Sequence, residues 1–406
     1  MRILFVADVS IQRVIGGAER VLFEQTTRLA ERGHRVYVIT RRMSEHLQTR
    51  ETLHGVHEFR CQFDAGKPAR LLFETWPEVK RQFARLQKQI QFDCLNIHQP
   101  NTAYPVLRVA AKLNIPMVYT CHSLAFEEYF SRHPLGTSAD RSVRWLNAMA
   151  RRWIEQRVLR RCHRVVALSD YTVEKLRCAY SIQRDCVDVI PGGVDLVKFQ
   201  PVVDKKALRR CMGIPVDAFI LLTVRNLEPR MGIENLLEAI KIVNSRTNGF
   251  YLIVGGAGSL ESELRAHVER SSIADYVRFT GFIPEKDLPR YYQMADLFVL
   301  PTQELEGFGM VTLEALACGL PVLGTPVGGT LEILGGLDRH LLFKDCRPES
   351  IAAGILSYYQ RTADSPGGAA EISKNCRRFT ETHYSWETNI TALETVFENA
   401  RRSSLS

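Results

Sequence analysis

Glu306 and Glu314 stand eight residues apart in DLFVLPTQELEGFGMVTLEALACGLPVLGTPVGGTLE, residues 296–332. Two carboxylates within reach of one ligand can hold hydroxyl groups, steer a proton or face developing positive charge. Glu314 sits among Leu313, Ala315, Leu316 and Ala317, where an unpartnered carboxylate would cost on the order of several kcal/mol, so it requires a polar partner. Between the acids, Gly307 and Gly309 carry the loop to a helix start near Met310. Free amides at such a start attract a phosphate or a sugar hydroxyl, and Glu306 stands at its mouth.

Cations follow the strand FILLTV. Arg225 comes directly after it and Arg230 five residues later, before another helix start. Positive charge there would stabilise an anionic leaving group electrostatically, without a metal. His122 ends VYTCH and His98 ends CLNIH, both at strand C-termini, the edge where open α/β sheets place ligands. Gly16 and Gly17 open the first helix after the first strand, as a phosphate-approaching turn would. Gly255, Gly256 and Gly258 miss the dinucleotide fingerprint, because Glu261 stands where its third glycine belongs. A ligand-flanking loop and a plain turn both remain open for that segment.

These residues need strands and helices to position them. Residues 1–190 alternate RILFVADV, a helix at 17–31, RVYVIT, a helix at 77–91, CLNIH, MVYTCHS, a helix at 141–162, RVVALS, a helix at 171–180 and CVDVIP. After the turn-rich PGGVDLVKFQPVV, the pattern restarts with FILLTV, a helix at 232–244, YLIVGG, a helix at 259–270, VRFTG and DLFVL. Such alternation predicts α/β architecture with parallel sheets covered on both faces, in two domains. At 406 residues the chain is too long for one ordinary core.

The Glu306 and Glu314 spacing, the EGFG loop, the small-residue helix ending at Cys318-Gly319 and the PVLGTPVGG that follows resemble the signature of glycosyltransferase family 4, retaining enzymes of the GT-B type. The resemblance spans nearly the whole chain and is strongest over 219–332. It implies the GT-B fold, two Rossmann-like domains whose parallel sheets face a central cleft. The first, 1–195, would bind acceptor, with a terminal helix at 385–402 packing back on it. The second, 196–384, would bind the nucleotide sugar.

By that resemblance Glu306 contacts the donor sugar and Glu314 the ribose, while Gly307, Phe308, Gly309, Met310 and Val311 line the donor. Arg225 takes the diphosphate. Met231 stands where the family commonly has a lysine, and Arg230, one residue earlier, is the candidate replacement. Gly16, Gly17, Gly256 and Phe282 flank the donor, Gly328, Gly329 and Glu332 lie in a loop close to it, and His122 orients the sugar beside a departing phosphate that itself helps deprotonate the acceptor. The implied reaction is metal-independent, retaining hexosyl transfer to a glycan or lipid-linked acceptor in cell-surface polysaccharide or glycolipid synthesis, with no cofactor beyond the nucleotide-sugar substrate. A donor-binding subunit without turnover, and a GT-B phosphorylase or epimerase, are the competing readings.

Charge divides unevenly. Residues 1–200 carry 31 Lys and Arg against 20 Asp and Glu, whereas 201–406 carry 22 against 25. A basic first half suggests an anionic acceptor or lipid surface. No metal knuckle, RNA-recognition pattern or helix-turn-helix supports nucleic acid. No apolar run approaches the roughly 18 residues of a membrane helix, and the ten cysteines lack zinc spacing. The expectation is a cytoplasmic protein with reduced thiols, and peripheral contact with the inner face of the cytoplasmic membrane as a second expectation. The basic helices at 77–91 and 141–164 raise that question, the latter with Trp145 and Trp153 among eight arginines, although a solvated helix back is the plainer reading.

Overall fold

The computed structural model describes residues 1–12, 16–42, 48–61, 74–133, 138–365 and 367–405. It forms two compact units, Met1–Pro191 with Trp386–Ser406, and Gly192–Ser385.

The first unit is built on an eight-stranded sheet. Its strands are β1 (Arg2–Val6), β2 (Arg35–Arg41), β3 (Arg50–Leu53), β4 (Val56–Cys61), β5 (Cys94–Ile97), β6 (Met117–Cys121), β7 (Arg164–Ala167) and β8 (Val187–Val189). Their spatial order is β3-β4-β2-β1-β5-β6-β7-β8. All pairings are parallel except the β3–β4 hairpin at one edge. The near-continuous apolar strands follow from burial on both faces. In β1, Leu4 and Val6 enter a core with Val79, Phe83, Leu86, Val158 and Leu176. Ile3 and Phe5 point the other way, into a core with Leu22, Leu29, Ile390, Leu393 and Phe397. The terminal helix Trp386–Leu405 thus completes the first unit's second face.

The second unit carries β9 (Phe219–Val224), β10 (Phe250–Gly255), β11 (Val277–Gly281), β12 (Leu297–Leu300) and β13 (Val322–Gly324). Their order is β11-β10-β9-β12-β13, all parallel. Asp296 braces the start of β12, accepting from the Ile220 amide at 2.8 Å and from Arg209 at 2.5 Å.

Three features depart from the sequence reading. The units divide after Pro191 rather than at 195, because the Val194 amide already bonds the Tyr384 carbonyl at 2.9 Å inside the second unit. The long basic helix begins three residues earlier, at Ser138–Leu159. The segment after His122 forms a helix, Ala125–Arg132, whose first amide is held by the buried Glu155 at 3.0 Å.

Candidate active site

Arg225 and Thr302 leave the C-terminal ends of the adjacent strands β9 and β12, so the sheet brings them together. Glu306 lies four residues beyond Thr302 and is buried with them. Arg225 Nη2 donates to Glu306 Oε2 at 2.5 Å and to the Thr302 hydroxyl at 3.2 Å, and Thr302 in turn donates to Glu306 Oε2 at 3.1 Å. A charge-assisted triangle results, which holds the carboxylate in one orientation. Arg225 Nε is buried without a partner.

Two glycines seat this pair. A Cβ on Gly256 would lie 1.8 Å from the Arg225 carbonyl oxygen, and one on Gly328 would lie 1.9 Å from the Glu306 carbonyl oxygen. Both positions also have positive φ, +118° and +59°, the region that favours glycine. Gly256 therefore acts in the structure as a close backbone seat for Arg225. The next amide, Gly329, donates to the Glu306 carbonyl at 2.9 Å.

Glu314 is buried on the short helix Met310–Ala317, and its Oε2 accepts from the Tyr292 hydroxyl at 2.8 Å. Tyr292 is the polar partner that the apolar setting demanded. Burial, then the neighbouring carboxylate, pushes the Tyr292 phenol well above its ordinary range, so it remains a donor. Gly309, at φ +97°, caps this helix, and the buried hydroxyls of Thr312 and Thr330 close to it have no partner.

Arg230 Nη1 donates to the Leu305 carbonyl at 3.1 Å, and its own carbonyl accepts the Gln303 amide at 2.8 Å. Its guanidinium is thereby tied to the loop leading to Glu306. Met231 is buried, with Sδ 2.8 Å from Arg225 Nη2, so no second cation stands at that position. Phe282 is exposed beside a cavity of about 280 Å³ also lined by Cys211, Arg290 and Tyr291. That cavity shares no lining residue with the Arg225 and Glu306 group.

In the first unit, His122 Nε2 and His98 Nδ1 are 3.0 Å apart. Burial lowers the His122 pKa to about 4 and holds His98 well below the ordinary imidazole value, so both rings are neutral near pH 7. Beside them Ser123 donates to Glu128 at 2.9 Å. Gly16 caps the helix Gly17–Glu31, and its carbonyl accepts the Arg20 amide at 3.0 Å. Sequence reasoning missed Thr302, Tyr292 and Glu155. Thr302 carried a faint signal, two residues beyond a strand end, while the other two acquire meaning only through contacts made far along the chain.

Residues 15–198 match the family described as Glycosyltransferase Family 4, and residues 204–379 match Glycosyl transferases group 1. Together they span most of the chain. This protein belongs to glycosyltransferase family 4.

The glycosyltransferase is 25% identical to a D-inositol 3-phosphate glycosyltransferase of Jonesia denitrificans, over 95% of this chain and 92% of that protein. Its fold is similar to that of a sucrose-phosphate synthase from Thermosynechococcus elongatus, with TM-score 0.81 and 22% identity over 99% of this chain and 100% of that one. It is also similar in fold to Anabaena HepE in complex with UDP-glucose, with TM-score 0.77 and 18% identity over 98% and 100% of the chains. The fold of this glycosyltransferase is therefore GT-B. Among the described residues no helix is long and apolar enough to cross a membrane, and no three His, Cys, Asp or Glu side chains gather as a metal-binding group.

Proposed function

We propose that this glycosyltransferase moves a hexosyl group, with retention and without a metal, from a nucleoside diphosphate sugar to a glycan or lipid-linked acceptor. The observation that carries the reading is the buried Arg225, Thr302 and Glu306 triangle with Glu314 eight residues further on. Arg225 meets the charge that develops on the leaving diphosphate. Released from its carboxylate partner, it offers the phosphate oxygens a planar pair of donors. Glu306 orients sugar hydroxyls, and Glu314, steadied by Tyr292, takes the ribose hydroxyls. The amides that open the helix Met310–Ala317, with Gly307, Phe308, Gly309 and Val311, receive the sugar and phosphate oxygens.

His122 acts as a neutral orienting group for the sugar, since a ring that protonates only near pH 4 carries no charge at neutral pH. The HepE structure with UDP-glucose makes UDP-sugars the first donors to try. The Jonesia denitrificans relative, a D-inositol 3-phosphate glycosyltransferase, adds a phosphorylated polyol to the acceptors worth testing. Synthesis of cell-surface polysaccharide or glycolipid, in the cytoplasm and at the inner face of its membrane, is the setting that the basic first half favours.

The test is a thermal-shift panel of nucleoside diphosphates and nucleotide sugars on wild type and Glu314→Ala, followed by product analysis with the stabilising donor in the presence of a chelator. Selective stabilisation by one nucleotide, weakened in Glu314→Ala, with an α-linked product from an α-linked donor, supports the reading. Silence to every nucleotide overturns it. Met231, buried where a second cation commonly stands, favours one alternative, a subunit that binds donor without turnover. Binding with no product from any acceptor would select that alternative.

A further inference from the structure

The helix Ser138–Leu159 is buried along one side, through Ala148, Ile154, Glu155, Val158 and Leu159. On its outer side Val143, Trp145, Leu146 and Trp153 are 45 to 61% exposed. Single exposed apolar residues are ordinary on a protein surface, but four on about three turns of one helix are not. Trp145, Leu146 and Trp153 fall within a sector of roughly 100°, so they form one stripe.

Arginines frame the stripe. Between Arg141 and Arg164 there are eight arginines and one acid, Glu155, and that acid is buried against the sheet. Arg141, Arg152, Arg157, Arg160 and Arg161 are exposed. Arg157 lies 4.7 Å over the Trp153 ring, and Trp153 rests 5.5 Å from Tyr104, so the indole is held in place rather than loose. The helix Trp76–Ile90 packs into the same core on the same face of the sheet and exposes Lys80, Arg81, Arg85 and Lys88. One helical layer of this unit thus presents indoles and cations together.

We propose that this layer docks on an anionic phospholipid bilayer, with Trp145, Leu146 and Trp153 entering the headgroup region and Arg141, Arg157, Arg160 and Arg161 meeting lipid phosphates. Indole suits that depth because its body is apolar and its N–H finds a polar partner among headgroups. A helix of this composition lies in the interface plane, its arginine stems covering apolar surface while the charged heads reach phosphate. Charge complementarity selects the occupant. A second copy docked through the same face would set arginine against arginine, which opposes self-association. The inference rests on this surface alone and does not depend on the donor chemistry proposed above.

The experiment is flotation of the full chain with vesicles of phosphatidylcholine alone or mixed with phosphatidylglycerol, at low and high salt. Two variants accompany wild type, Trp145→Ser with Leu146→Ser, and Arg157→Glu with Arg160→Glu and Arg161→Glu. Their circular dichroism and melting confirm the fold. Wild type should float only with the mixed vesicles, less at high salt, with binding weakened about fivefold for each cation lost. The apolar double variant should also float less. No flotation with the anionic vesicles, or flotation indifferent to both variants, overturns the proposal. Self-association or capture of nucleic acid through this face, without vesicle binding, overturns it as well. The nucleotide panel uses no lipid, so failure here is separable from failure of the transferase reading.

Discussion

Arg225 and Glu306 form a buried ion pair, 2.5 Å between Nη2 and Oε2, inside the site proposed to receive the donor. Removing one partner from such a pair leaves an uncompensated buried charge. Arg225→Ala should lower stability by about 3 to 5 kcal/mol, whereas Glu306→Gln, which preserves shape and hydrogen bonding, should cost about 1 to 3 kcal/mol. Denaturant titration of both variants checks the order. Both should lower kcat by about a hundredfold or more if the pair meets charge in the transition state. Full activity in either would remove the pair from the mechanism.

The Tyr292 hydroxyl steadies the Glu314 carboxylate. Tyr292→Phe removes one hydrogen bond from a buried charged acceptor and should cost about 1.5 to 3 kcal/mol. With Glu314 on the ribose, the donor KM should rise several-fold while kcat stays within about twofold. Steady-state kinetics with a saturating acceptor separates the two constants. A fall in kcat alone would move Glu314 away from ground-state donor binding.

Glu155 predicts a pH dependence of stability. Its carboxylate accepts from Tyr119, Tyr180 and the Ala125 amide, yet burial outweighs those donors and raises its pKa from 4.5 to about 7. The folded state therefore binds a proton more tightly than the unfolded chain. The stabilisation is fully present below about 4.5 and is lost as pH rises through about 7, on the order of 3 kcal/mol in all. Glu155→Gln should flatten the stability profile between these limits. Chemical denaturation across that range reads the slope, and an unchanged slope in the variant would assign the dependence elsewhere.

The shift of His122 runs the other way. Its folded pKa, about 4, lies below the ordinary 6.5, so the unfolded chain binds the proton more tightly. The associated stability is present above about 6.5 and is lost as pH falls toward 4. His122→Asn should lower turnover without removing a titration from the activity profile between pH 6 and 8. A wild-type profile that bends in that window and straightens in the variant would make His122 an acid or base rather than a neutral orienting group.

Much of the second unit was legible in the sequence. Its strands are apolar runs buried on both faces, and the paired acids keep a fixed spacing across one loop and one short helix, so local sequence already sets Glu306 and Glu314 on one segment. The β3–β4 hairpin escaped notice because RETLHGVHEFR mixes charge and apolar residues at an exposed edge. The helix Ala125–Arg132 escaped because no side chain caps its start. Its first amide is held instead by Glu155, thirty residues away.

The sequence by itself determined that the chain is α/β, that its pattern restarts once after the connection PGGVDLVKFQPVV, that Arg225 and His122 stand at strand ends, and that Glu306 and Glu314 lie on either side of one helix start. Periodicity and turn residues are local properties, and such placements follow from them. The tertiary structure alone decided the partners. Arg225 reaches Glu306 across 81 positions because β9 and β12 are neighbours in the sheet, Tyr292 reaches Glu314, and the Met231 sulfur lies against the Arg225 guanidinium. Pairing of this kind depends on strand order, and strand order is fixed only when the whole sheet assembles and buries both its faces.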